Sequence, residues 1–113
     1  MSQQRQQHPS PGVTSEQTHI VAKTPDLRVV EYVLQPGEYL PWHHHSEVTD
    51  HFYCLEGTIG VELRELAQKL LLRPGESCTV PPGAVHRSGN AGEGVSRYLL
   101  VQGIGRYDFV KAE

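Results

Sequence analysis

The chain has 113 residues, enough for one domain with a modest core and too few for a two-domain enzyme. Hydrophobic residues make up 37% of it, and 11 glycines bring the composition to that of a folded globular domain. Lys and Arg number 10 against 13 Asp and Glu, and the resulting charge of −3 gives no electrostatic footprint for a nucleic-acid backbone or an anionic membrane.

Residues 1–16 are Gln, Ser, Pro and other polar types that cannot bury enough apolar surface to offset the entropy of ordering, so a disordered tail is expected there, with His8 functionless inside it. The folded domain is expected over residues 17–113. The start carries no apolar stretch of the kind that directs secretion, and no apolar run approaches the ~18 residues of a membrane span. A cytoplasmic protein without a membrane partner is the expectation.

From His19 onward the punctuation is regular. Pro36-Gly37, Glu56-Gly57, Pro74-Gly75, Pro81-Pro82-Gly83, Gly92 and Gly103 separate short runs rich in β-branched and aromatic residues. These runs predict strands over residues 27–34, 51–55, 58–63, 69–72, 77–80 and 96–102, and together an all-β barrel or sandwich. One segment reads two ways. Leu63, Leu66, Ala67 and Leu70 recur at the spacing of an amphipathic helix, while a strand over 58–64, a turn near 65–68 and a strand over 69–73 fit the same residues as a hairpin. Cys54 and Cys78 fit no disulfide scaffold or zinc-finger spacing and read as buried small hydrophobes.

The histidines are concentrated. His43, His44, His45 and His51 lie close together, and on a strand His43 and His45 share one face while His44 points to the other. Two imidazoles on one face can close on one ion. A turn through residues 46–49 can return the Asp50 carboxylate to it, and His86, behind Pro-Pro-Gly-Ala-Val, is a fourth candidate. Three imidazoles and a carboxylate suit one divalent transition metal per chain (Mn, Fe, Ni, Co or Zn). His44 and His51 read as structural residues. By the same parity Phe52 and Cys54 follow Asp50 inward and Tyr39 shares the face of His43, so these three are candidate pocket residues; Arg28, Tyr32, Arg97 and Tyr98 cannot be assigned a face.

Two stretches carry a family resemblance. Gly37-x5-His43-x-His45-x4-Asp50-x6-Gly57 and Gly75-x5-Pro81-x-Gly83-x2-His86-x3-Asn90 resemble the two motifs of the cupins, with Asp50 standing where that family has Glu. The resemblance implies a double-stranded β-helix, a jelly-roll barrel around a pocket, and resolves the ambiguous segment as a hairpin. It implies a metal held by His43, His45, Asp50 and His86, and a homodimer. Because Asp is one methylene shorter than Glu, two arrangements stay open: direct coordination by Asp50, or a three-His site with Asp50 as an outer-sphere base. The functional expectation is a metal-dependent enzyme (dioxygenase, isomerase or lyase) acting on a small organic molecule, and the alternative is a non-catalytic cupin that binds or senses one.

Overall fold

This computed structural model describes Thr14 and residues 17–113. The tail expected over residues 1–16, His8 included, therefore lies outside the described residues except for Thr14, whose carbonyl accepts a hydrogen bond from Gln17 N–H at 3.1 Å. Among the described residues every regular element is a strand. In chain order they are β1 (Thr18–Thr24), β2 (Leu27–Leu34), β3 (His43–His44), β4 (Thr49–Glu56), β5 (Ile59–Leu63), β6 (Gln68–Leu72), β7 (Ser77–Val80), β8 (His86–Asn90), β9 (Ser96–Gly103) and β10 (Val110–Lys111). No helix among these residues is long and apolar enough to cross a membrane.

The strands form two five-stranded antiparallel sheets, ordered β1-β2-β9-β4-β7 and β10-β3-β8-β5-β6. Each turns one face to a shared interior, so the buried positions alternate along β2, β4 and β9. This is the jelly-roll arrangement of a double-stranded β-helix. The six strand runs expected from composition appear within about two residues of their predicted ends. β1, β3, β8 and β10 are additional.

The ambiguous segment is a hairpin. Residues 64–67 turn between β5 and β6, Ala67 adopts φ +48°, and its N–H donates to Arg64 O at 3.1 Å. A helix would have set Leu63, Leu66 and Leu70 on one buried stripe. Instead β5 pairs on both sides, with β6 and β8, which buries Ile59 and Val61 and leaves Leu66 71% exposed. Tertiary pairing overrides the local periodicity.

Register stacks the interior into layers. Tyr32, Tyr98 and Cys54 align across the first sheet, as do Val30, Leu100, Phe52 and Cys78 in the next row. Opposite them stand Ile59 and Val61 of β5 with Leu72 of β6, closing an apolar core. One row further the character changes. Arg28, Gln102, Asp50 and Val80 align across the first sheet, and His43, His86 and Leu63 align across the second. Cys54 is buried as expected, whereas Cys78, on a sheet edge, is only half-buried; both are free thiols.

Candidate metal centre

The polar layer gathers His43, His45, Asp50 and His86, all buried, with one ligand atom from each lying within 4.8 Å of the others. Strand parity explains the selection. His43 and His45 are buried while His44 between them is half-buried, and Asp50 occupies an inward position of β4. His86 is the first residue of β8 and pairs directly with His43. The turn before it is held by Gly83, at φ +84°, whose N–H donates to His45 O at 2.8 Å and so ties the two ligand-bearing segments together. Asn90 closes the second motif structurally: its Nδ2 donates to Leu34 O at 2.9 Å and to Gly94 O at 2.7 Å.

Each of the three rings is oriented by a backbone carbonyl. Nδ1 of His43 donates to Pro41 O at 2.7 Å, Nδ1 of His45 to Asp108 O at 2.6 Å, and Nδ1 of His86 to Ala84 O at 2.8 Å. A carbonyl only accepts, so Nδ1 carries the proton and the neutral ring presents an Nε2 lone pair. Asp50 Oδ2 lies 3.1 Å from His45 Nε2 and 2.9 Å from His86 Nε2. Lone pairs so placed repel unless a cation stands between them, either a proton or a metal ion.

The electrostatics carry the same signature. Burial above all, then the neighbouring His86, pushes His43 down to about 3, so its ring is a neutral donor at physiological pH. Burial alone would lower His45 and raise Asp50, but their contact outweighs it: His45 is raised, and hydrogen bonds to His45 and His86 hold the Asp50 carboxyl well below the usual carboxylate range. Three imidazole nitrogens and a carboxylate oxygen are a borderline-to-hard donor set suited to a divalent transition metal. Ligand atoms about 2.1 Å from a shared ion stand roughly 3 Å apart when adjacent, which is the separation Asp50 Oδ2 keeps from the two imidazoles. These four residues could hold a metal.

The segment after β9 crosses to the second sheet and covers the histidines. Phe109 stacks on His43, Tyr107 tilts over His45 with ring centroids 5.4 Å apart, and Asp108 Oδ1 accepts from Ser46 N–H at 2.8 Å. None of these residues was singled out in the sequence. Gln102, Tyr107 and Phe109 carry no motif and announce themselves only through register with residues distant in the chain.

The candidate pocket residues fare differently. Phe52 is fully buried with its ring edge-on to His86, centroids 6.2 Å apart. Cys54 is buried two layers away, its thiol directed at Gly57 O, 3.4 Å distant. Tyr39 is a correction: it lies over Gly60 and Gly89 beside Arg87, which puts it on the outer face of the second sheet and not with His43. It joins the sheet through a single bridge to Gly89, so parity counted back from β3 across Pro41 does not apply. Arg28, Tyr32 and Tyr98 are buried on the interior face, whereas Arg97 is exposed and pairs with Glu31 and Glu56. A cavity of ≈ 380 Å³ opens at the surface between the β5–β6 turn and the loop before β8, lined by Leu63, Glu65, Leu66, Thr79, Pro81, Ala84 and Val85, with none of the four candidate ligands in its walls. Tyr39, Phe52 and Cys54 are not among its walls.

A barrel of two antiparallel sheets with a buried three-His, one-carboxylate cluster defines the class. Residues 30–102 match the family described as the cupin domain, and the chain belongs to that family. Over 76 residues, 67% of this chain, it is 33% identical to a mannose-1-phosphate guanylyltransferase of Sinorhizobium fredii, of which the match covers 14%. The chain spans less than half the length of the curated relatives it matches. Among solved structures it is similar to a conserved protein with a double-stranded β-helix domain from Klebsiella pneumoniae, at TM-score 0.75 and 25% identity over 85% of this chain and 83% of that one. It is also similar to KdgF from a Halomonas species, at TM-score 0.69 and 29% identity over 79% and 78% of the two chains.

Proposed function

We propose that this chain is a mononuclear metal cupin in which His43, His45, Asp50 and His86 hold one divalent transition metal, and that it acts on a small organic molecule there. The observation that carries the reading is the set of three Nδ1-to-carbonyl hydrogen bonds, which turn the Nε2 atoms toward the Asp50 carboxylate. The contacts at 3.1 and 2.9 Å favour Asp50 as a direct ligand over an outer-sphere base. A bound ion of this kind supplies Lewis acidity toward a substrate oxygen or an open position for O₂. The chain's own residues do the rest: the carbonyls of Pro41, Asp108 and Ala84 fix the rings, and Phe52 and Phe109 keep them in an apolar surround.

The test is elemental analysis of the purified protein, followed by O₂ consumption and product analysis against catechols, β-diketones and keto-sugars. One ion per chain is expected, and its loss in the double variant His43→Ala/His45→Ala with the fold retained. Stoichiometric metal in that double variant would overturn the ligand assignment. A metal-loaded protein that binds members of the panel without turnover would support the non-catalytic alternative.

A further inference from the structure

The polar layer holds two buried residues that the ligand set does not explain. Arg28 is 5% exposed and Gln102 is 2% exposed. A buried arginine requires compensation by polar partners. Arg28 Nη1 donates to Gln102 Oε1 at 2.5 Å, and Gln102 Nε2 in turn donates to Asp50 Oδ1 at 3.0 Å. The direction of this chain is chemically fixed. A flipped amide would set its NH₂ against the guanidinium and its oxygen against the carboxylate. Gln102 is thus a neutral dipole between a buried cation and a buried anion, and Tyr107 closes over the cation, its ring centre 4.5 Å from the guanidinium carbon.

The relay divides the two oxygens of Asp50. Oδ1 is taken up by the Gln102 amide, while Oδ2 faces His45 and His86. We propose, resting on the metal reading above, that Arg28 and Gln102 are positioning residues that keep Asp50 monodentate. A carboxylate released from the amide can rotate and chelate with both oxygens, which would use up a coordination position that a small molecule needs. The fold builds this from register alone, since Arg28, Gln102 and Asp50 are direct cross-strand neighbours on β2, β9 and β4.

The probe is Co(II) added to the purified full chain, with affinity read by calorimetry and coordination number by the visible d–d absorption. Gln102→Met is expected to weaken Co(II) binding roughly 10–100-fold and to change the position and intensity of the d–d bands. Arg28→Met is expected to weaken binding in the same direction. The double variant should be no weaker than Gln102→Met alone, because Arg28 acts through the amide. An unchanged affinity and spectrum in Gln102→Met would overturn the proposal, as would fully additive losses in the double variant. Should Gln102→Met not fold, Gln102→Asn, polar but too short to span Arg28 and Asp50, is read in its place with the same expected loss. Wild-type protein that takes up no Co(II) strikes the metal reading itself, whereas wild-type uptake with unaffected variants strikes only this inference.

Discussion

Phe109 lies flat on His43, ring centroids 4.1 Å apart and planes 15° from parallel. The contact joins the segment after β9 to a candidate ligand, and β10 extends the join by pairing Val110 with His44 and Lys111 with His43. Phe109→Ala removes the stacking and part of the apolar cover. We expect a loss of about 2 kcal/mol in denaturant unfolding, with weaker metal binding. Wild-type stability and affinity in the variant would mean that this segment does not hold His43.

Asp50→Glu separates the two arrangements of the carboxylate. Asp50 is 1% exposed and contacts His45, His86 and Gln102, so another methylene must displace one of these neighbours. Overpacking should cost about 1–3 kcal/mol and weaken metal binding. Tighter binding in the variant, measured as a dissociation constant at one pH, would instead identify Asp50 as an outer-sphere base that glutamate converts into a ligand.

Gly89→Ala should be among the most damaging single-methyl changes. A Cβ at Gly89 would stand 2.4 Å from Glu38 O, a backbone atom, as well as against the Tyr39 ring. We expect destabilisation of at least ~2–3 kcal/mol by thermal or denaturant unfolding. Trimming the ring with Tyr39→Ala should not restore stability, because the carbonyl remains. Full rescue would show that the ring alone sets the constraint.

Cys78 contributes to the alkaline limb of stability, alongside Cys54, Tyr98 and Tyr107, which burial also raises. Burial, and secondarily the Asp50 charge, raises the Cys78 thiol from 9.0 to about 11. Between those values the unfolded chain has lost a proton that the folded one retains, so stability falls as pH rises through the window and is unaffected by this group below it. Cys78→Ala should make that limb shallower, without abolishing it, in unfolding curves taken from pH 8 to 11. Rapid alkylation of Cys78 in the native protein at pH 8 would contradict a raised thiol.

Much of this was legible in the chain. Gly and Pro punctuation marked six strands because turn positions with positive φ, as at Gly37, Gly57 and Gly75, favour glycine, while the fixed negative φ of proline suits the position before it. Alternation in the His43–His45 stretch marked which rings share a face, and the two motifs added Asp50 and His86. β3 and β10 were not legible because they are two residues long, and β8 because His-Arg-Ser-Gly-Asn has no apolar alternation. Tyr39 was misplaced because a single bridge, not a continuous strand, carries it. Gln102 and Arg28 lie 74 positions apart, and only sheet register makes them neighbours.

The acceptor for His45 Nδ1 is the carbonyl of Asp108, beyond the last long strand. His45 and Asp108 are 63 positions apart, and the carbonyl that orients this ring belongs to the connecting segment and not to either sheet. A change that displaces the segment between β9 and β10 would therefore free His45 to take either tautomer while β2, β9 and β4 stay paired, so the orientation of the ring and the integrity of the barrel are separable.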